Sequence, residues 1–291
     1  MVGTNLIADY DSNGVWLCPI HGLRYDGEID ESLLKFTGPE NTEHDFRIVR
    51  LPTEFKSRLE SALEFSHLTS LDVHLLSLAI RCETDAAFRE EPIRSNGLRV
   101  ISFALSLGYE SISLSDCYLI KGGYSNGGLQ STGHEWPMQG RIEPQLFRPD
   151  EIPYVTFYAR AATHLFDRIG LAVRRFYEAG KRVNYADALV DYVIALDGLL
   201  TAYDARRFAD RATRLVQPDL SSTPNLVDLI RAVYQLRSQL VHGNVNQATR
   251  ILDQSFGGSM PRAVQFTRLV CTTAFQRVLR EPQWLNPRNW R

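Results

Sequence analysis

Four cysteines in 291 residues, Cys18, Cys82, Cys117 and Cys271, are widely spaced and form no paired-thiol motif. That argues against a disulfide-stapled scaffold and predicts reduced, largely structural thiols. Cys18-Pro-Ile-His21 has the spacing of half a zinc site, but no second ligand pair matches it, so no metal is expected. No apolar run approaches the roughly 18 residues needed to span a bilayer. Nor do the first residues combine a basic stretch with an apolar one, as an export signal would. The expectation is a cytoplasmic chain with no membrane association. The glycine cluster between Gly122 and Gly128 lacks a following Lys-Ser/Thr and is not a phosphate-binding loop. No group of acidic residues resembles a two-metal nuclease site, and no motif calls for a cofactor.

What is present is an ordinary globular composition, 44% hydrophobic and 23% charged, in a chain long enough for two domains. The net charge of -2 conceals an asymmetry. Through Asp150 there are 13 Lys/Arg against 22 Asp/Glu, and from Glu151 onward 19 against 12, so the halves carry -9 and +7. If a polyanion binds, the basic C-terminal half is where it would dock. Two domains that simply differ in surface composition would look the same.

The hydrophobic period changes along the chain. Segments 14–18, 46–51, 99–105 and 111–120 read as strands, and 71–86 as strand or helix. Pro52 is placed to start a helix. Four prolines between 133 and 153 predict an extended connection. The first 150 residues are therefore an α+β domain of unknown role, and residues 151–291 an all-α bundle. In the latter, 154–179 reads as one long helix ending at Gly180. Asn184 caps a second, and a third covers 205–216 before Pro218. A fourth runs from Leu226 to Gly243, and a last covers 262–279. Helices of this kind joined by short loops bury one shared core.

The segment with chemical potential is Arg237-Ser-Gln-Leu-Val-His242-Gly243. Arg237 and His242 lie five positions apart, which puts them about 140° apart around a helix, whereas Ser238 and His242 share a face. Imidazole exchanges protons near neutral pH, and a guanidinium holds phosphate in a planar fork. A hydrogen bond from Ser238 would orient the ring. This set suits RNA cleavage without a metal, in which the 2'-hydroxyl attacks the adjacent phosphorus. Equally, Arg and His near a helix C-terminus complement its dipole and close it before a glycine.

Residues 154–280 resemble the Apea-like subgroup of HEPN domains, helical bundles of prokaryotic toxins, RNA-processing enzymes and antiviral defence proteins. The resemblance rests on Arg237-Ser238-Gln-Leu-Val-His242-Gly243 and on Val193-Ile-Ala-Leu-Asp197-Gly-Leu-Leu200. It also rests on the basic stretch holding Arg206, Arg207, Arg211 and Arg214. It implies an endoribonuclease with His242 as acid-base residue and Arg237 as phosphate anchor. Ser238 and Asp197 would orient them, and the four other arginines would bind RNA. It further implies a homodimer placing two such motifs in one cleft, and a protein or ligand activator. Asp197 stands where the family usually has Glu. A HEPN-type module that binds RNA, nucleotide or protein without cleaving remains the alternative, as does a helical domain in which His242 is only a cap. His21 and His134 lie in turn-rich segments with no recognisable partner, His74 and His164 read as core or surface histidines on largely apolar segments, and Tyr234 is more simply a core aromatic.

Overall fold

The computed structural model describes residues 15–37, 43–57, 76–83, 91–109, 112–114, 118–120, 129–131, 144–202 and 204–290. It is a mixed α/β region followed by an all-helical bundle. Contacts divide the chain into two compact units, Met1–Ala159 and Arg160–Arg291.

The first unit is built on an antiparallel sheet. Its strands are β1 (Val15–His21), β3 (Asp30–Thr37), β4 (Glu43–Arg50), β5 (Leu78–Glu83), β6 (Ser113–Leu114), β7 (Tyr118–Ile120) and β8 (Leu129–Ser131). The order is β3-β4-β5-β1-β7-β8, with β6 also on β1. Two further short strands, β2 (Leu23–Arg24) and β9 (Gln145–Leu146), pair in parallel. β1 is buried along most of its length because it is paired on both sides, by β5 and by β7. On one face the cross-strand neighbours Arg47 and Arg81 meet Asp30 and Asp45. The 71–86 ambiguity resolves as strand β5, and residues 53–57 after Pro52 are helical.

Three expectations are corrected here. Segment 99–105 is not a strand but part of helix α1 (Glu91–Ser106). Val100, Ile101, Phe103, Ala104 and Leu105 are all buried, and a continuous apolar run cannot distinguish a buried helix from a buried strand. The Ser102 hydroxyl donates to Leu98 O and that of Ser106 to Ser102 O, the four-residue back-bonding available only in a helix. Gly97 lets α1 lie close over β4, since a Cβ there would stand 2.5 Å from the Phe46 ring. Second, the 111–120 strand is two short strands, β6 and β7. Third, Cys18 is disulfide-bonded, against the expectation of reduced thiols, while the side chains of Cys82 and Cys271 are buried. Spacing along the chain carries no information about which residues a sheet brings alongside β1. The glycine cluster, His74, His134 and most of the proline-rich connection lie outside the described residues.

The helices are α2 (Ile152–His164), α3 (Phe166–Lys181), α4 (Tyr185–Leu200), α5 (Ala205–Leu220), α6 (Leu226–Val241), α7 (Val245–Phe256) and α8 (Met260–Arg280). The single long helix read from 154 is two, starting at Ile152 and broken at Leu165, whose φ of -101° and ψ of 4° leave the helical region. α5 runs through Pro218 instead of ending before it, because in the last turn the missing N–H forfeits only one ladder bond. α7 was not anticipated; its apolar side is only Ala248, Ile251 and Phe256.

Asn184 caps α4 by accepting from the Ala186 N–H at 2.8 Å, as its sequence position implied. The core centres on Phe176 of α3, whose ring lies 5.4 Å from Tyr192 and 5.3 Å from Phe275, linking α3, α4 and α8. Cys271 donates to Tyr192 O, and burial raises its thiol pKa well above the usual range, so it is a packing residue. Asp191 of α4, 5% exposed, accepts from Arg175 and Arg182, each at 2.8 Å, and ties α3 to α4. No helix among the described residues is long and apolar enough to cross a membrane.

Candidate functional site

α6 ends as a glycine-closed helix should. Gly243 has a φ of +71°, its N–H donates to Leu240 O at 3.2 Å, and the Asn244 N–H reaches back to Gln239 O at 2.9 Å. This pair of bonds satisfies carbonyls that the helix end would otherwise leave free. A Cβ on Gly243 would meet nothing within 4 Å, so the glycine is required by its left-handed backbone and not by crowding. The side chain of Asn244 donates to Gln239 Oε1 at 2.9 Å and reinforces the turn. His242 is therefore held at a defined point as the helix C-cap, with its side chain exposed.

Ser238 contacts His242 through the backbone: the His242 N–H donates to Ser238 O at 3.1 Å. Among the described residues no side-chain hydrogen bond joins the two, so the expected orientation of the ring by the Ser238 hydroxyl is not realised.

Arg237 and Asp197 are brought together. Asp197 lies in the last turn of α4, which packs against α6. Burial pushes its carboxyl above the usual carboxylate range, while a hydrogen bond from the Ala202 backbone and the charge of Arg237 draw it back. Asp197 Oδ1 and Arg237 Nε are both buried and without a hydrogen-bond partner among the described residues. Opposite charges thus sense each other across two helices while each keeps hydrogen-bonding capacity in reserve. Such atoms are few in native folds, and Arg175 Nε, in the Asp191 ion pair, is another here.

The four arginines nominated for RNA separate into two kinds. Arg206 and Arg207 point outward, their side chains 87% and 60% exposed, with loose pairs to Asp210 at 3.9 Å and Asp204 at 3.7 Å. Surface pairs of this kind contribute little and leave the charge available. Arg211 and Arg214 are instead engaged by main-chain oxygens, Arg211 half-buried and Arg214 exposed. Arg211 Nη1 donates to Leu200 O at 2.7 Å and Thr201 O at 2.8 Å, closing the end of α4, and Arg214 Nη1 donates to Trp290 O at 3.3 Å. No sequence signal distinguishes these from their neighbours, because the partners are main-chain oxygens and a residue 76 positions away.

The ring of Tyr234 packs 4.8 Å from Phe208 between α5 and α6, a core role. His164 is exposed at the end of α2. His21 lies in β1, and burial lowers its pKa to about 4, keeping it neutral. Residues flanking His242 include two exposed apolar side chains, Val241 at 54% and Val245 at 71%. Comparison with family models, curated proteins and solved structures finds no match for this chain.

Proposed function

We propose that the helical unit is a HEPN-type endoribonuclease that cleaves RNA without a metal, in a toxin or phage-defence setting. The observation that carries this reading is the Asp197–Arg237 pair, both members with a buried polar atom still unpartnered, beside an exposed histidine held by the glycine-closed end of α6. Arg237 offers a guanidinium steered by Asp197 toward the two non-bridging oxygens of a phosphate. His242 exchanges a proton with the reacting oxygens. The 2'-oxygen bonds to phosphorus as its proton leaves, the bond from phosphorus to the 5'-oxygen breaks, and that oxygen is protonated. The products are a 2',3'-cyclic phosphate and a 5'-hydroxyl. Arg206 and Arg207 supply exposed positive charge for the RNA backbone.

One histidine serves one proton transfer well, and the reaction has two. A twofold dimer through the helical unit would bring a second His242 to the same phosphate. The exposed Val241 and Val245 beside His242 support that assembly, since apolar side chains around a polar motif are what an interface buries. Asp197, Arg237 and Ser238 would then be shared framework on each side of the cleft. A protein or ligand activator would act by favouring this assembly.

The competing reading is a non-catalytic RNA-, nucleotide- or protein-binding module, favoured by the C-cap position of His242, which has a structural use of its own. The test is cleavage of mixed cellular RNA in EDTA by wild type, H242A and R237K, with folding matched by circular dichroism. The ribonuclease reading expects cleavage to spare DNA, which lacks the 2'-hydroxyl. It expects H242A to lose on the order of 10²-fold or more in rate. R237K should be impaired as well, because a point charge does not reproduce the fork. Equal cleavage by wild type and H242A refutes the assignment, and RNA binding without cleavage by the purified dimer selects the binding module.

A further inference from the structure

The last described residues of the chain are not a loose tail. After α8, residues 281–290 form two short 3-10 turns, Pro282–Leu285 and Pro287–Trp290, and Trp290 is only 7% exposed. The segment is anchored at its start, where Glu281 holds Arg277 at 3.0 Å with one carboxylate oxygen and accepts from Trp284 Nε1 at 3.0 Å with the other. The rings of Trp284 and Trp290 pack with centroids 5.2 Å apart. At its far end Trp290 meets α5 twice. Its carbonyl accepts from Arg214, and its ring lies 5.9 Å from the guanidinium of Arg211, within the range of a cation–π contact.

Arg211 is the same residue that closes α4. Its Nη1 reaches both Leu200 O and Thr201 O, two of the carbonyls a helix end leaves without partners. Thr201 has a φ of 49° and a ψ of 48°, the left-handed region that a β-branched residue seldom occupies unless its surroundings hold it there. Three contacts hold it: Arg211 on its carbonyl, its own hydroxyl on Leu200 O at 2.8 Å, and its own N–H on Asp197 O at 2.8 Å. Because Thr201 turns the chain back, the next amide, that of Ala202, hydrogen-bonds the Asp197 carboxylate. A continuous set of contacts therefore runs from Trp290 through Arg211 and Thr201 to the main chain of Asp197, whose carboxyl feels the charge of Arg237.

We infer that residues 281–290 are a positioning strap for Asp197 in the proposed site, with Trp290 and Arg211 as positioning residues that hold the Thr201 turn on the Asp197 main chain. The inference rests on reading Asp197 and Arg237 as the functional pair, and it adds a control point remote from both. Displacing the strap removes the ring packed on the Arg211 guanidinium, loosens its hold on the two carbonyls, and lets Thr201 relax to an ordinary conformation. A partner or ligand that captures Trp290 would change the site without touching it.

The test uses the full chain as W290A, R214A, R211M and R211K, read by amide hydrogen exchange and by NMR titration of the Asp197 carboxyl. In W290A and R211M, exchange at Thr201 and Ala202 rises at least tenfold, while core amides at Val193 and Leu236 stay within threefold of wild type. R211K, which keeps a donor for the two carbonyls, returns the turn to within threefold. The Asp197 titration in W290A moves to higher pH, because the lost amide bond had favoured the ionised form. R214A removes a single hydrogen bond to the same tryptophan and gives the same local pattern at threefold or more, covering the case in which W290A does not fold. Unchanged exchange at Ala202 in the folded variants overturns the inference. So does a uniform rise across the bundle, which would make Trp290 a general packing residue. Neither readout uses RNA, so an inactive wild type refutes the ribonuclease reading while leaving the coupling to be judged on exchange alone.

Discussion

Asp191→Ala tests how the helix that carries Asp197 is held. The Asp191 carboxylate is 5% exposed and accepts two charge-assisted hydrogen bonds, from Arg175 Nη1 and Arg182 Nε, each at 2.8 Å. Bonds to charged groups contribute about 1.5–3 kcal/mol each, and breaking a fully buried pair costs about 3–5 kcal/mol. Both guanidiniums here reach solvent, with side chains 36% and 45% exposed, so they recover water when the carboxylate is removed. The low end applies to each bond, and the loss should be about 2–3 kcal/mol. For a unit of this size that lowers the melting temperature by roughly 6–12 °C. Urea unfolding followed at 222 nm reads mainly the helical unit and gives the difference directly. Asp191→Asn should lose nearly as much, since one of its two terminal atoms becomes a donor facing a guanidinium. Arg182→Ala, removing the more exposed partner, should cost about 1 kcal/mol or less. A loss below 1 kcal/mol in Asp191→Ala, with an unchanged urea slope, would show that α3 and α4 are joined by their apolar faces alone.

Three further outcomes are expected. His21, whose pKa burial lowers to about 4, binds its proton less readily folded than unfolded. Stability is therefore complete above about pH 6.5 and declines as pH falls toward 4, by roughly 2–3 kcal/mol. Replacing His21 with Gln should flatten this part of the pH–stability profile, and an unaltered profile would assign the acid sensitivity to other groups. Gly97→Ala places a methyl 2.5 Å from the Phe46 ring and should destabilise the sheet unit by about 1–3 kcal/mol in denaturant titration. Asp204→Ala removes the cap that accepts from the Arg207 N–H at 2.9 Å and should cost about 1 kcal/mol. That variant also frees Arg207 from its surface pair, so RNA affinity at low salt should rise slightly if Arg207 meets phosphate.

Much of the helical unit was legible in the sequence because its signals are local. Asn184 caps α4, the apolar period from Leu226 marks α6, and Gly243 closes it, each decided within a few residues. The segment Arg237–His242 could be singled out for the same reason: its residue types and spacing are properties of one helix. The change of period also separated an α+β region from a bundle without reference to any contact. What the sequence could not decide depended on burial and on distant partners. Residues 99–105 are mostly apolar, and only burial in the folded unit makes them helix; Leu165 breaks an otherwise even stripe; the disulfide at Cys18 has no signal in cysteine spacing. The charge coupling of Asp197 to Arg237, the bonds of Arg211 and Arg214 to main-chain oxygens and the burial of Trp290 belong to tertiary structure alone. A charged side chain reads identically in sequence whether it faces water or a helix-end carbonyl, and the difference is made by which helices pack together.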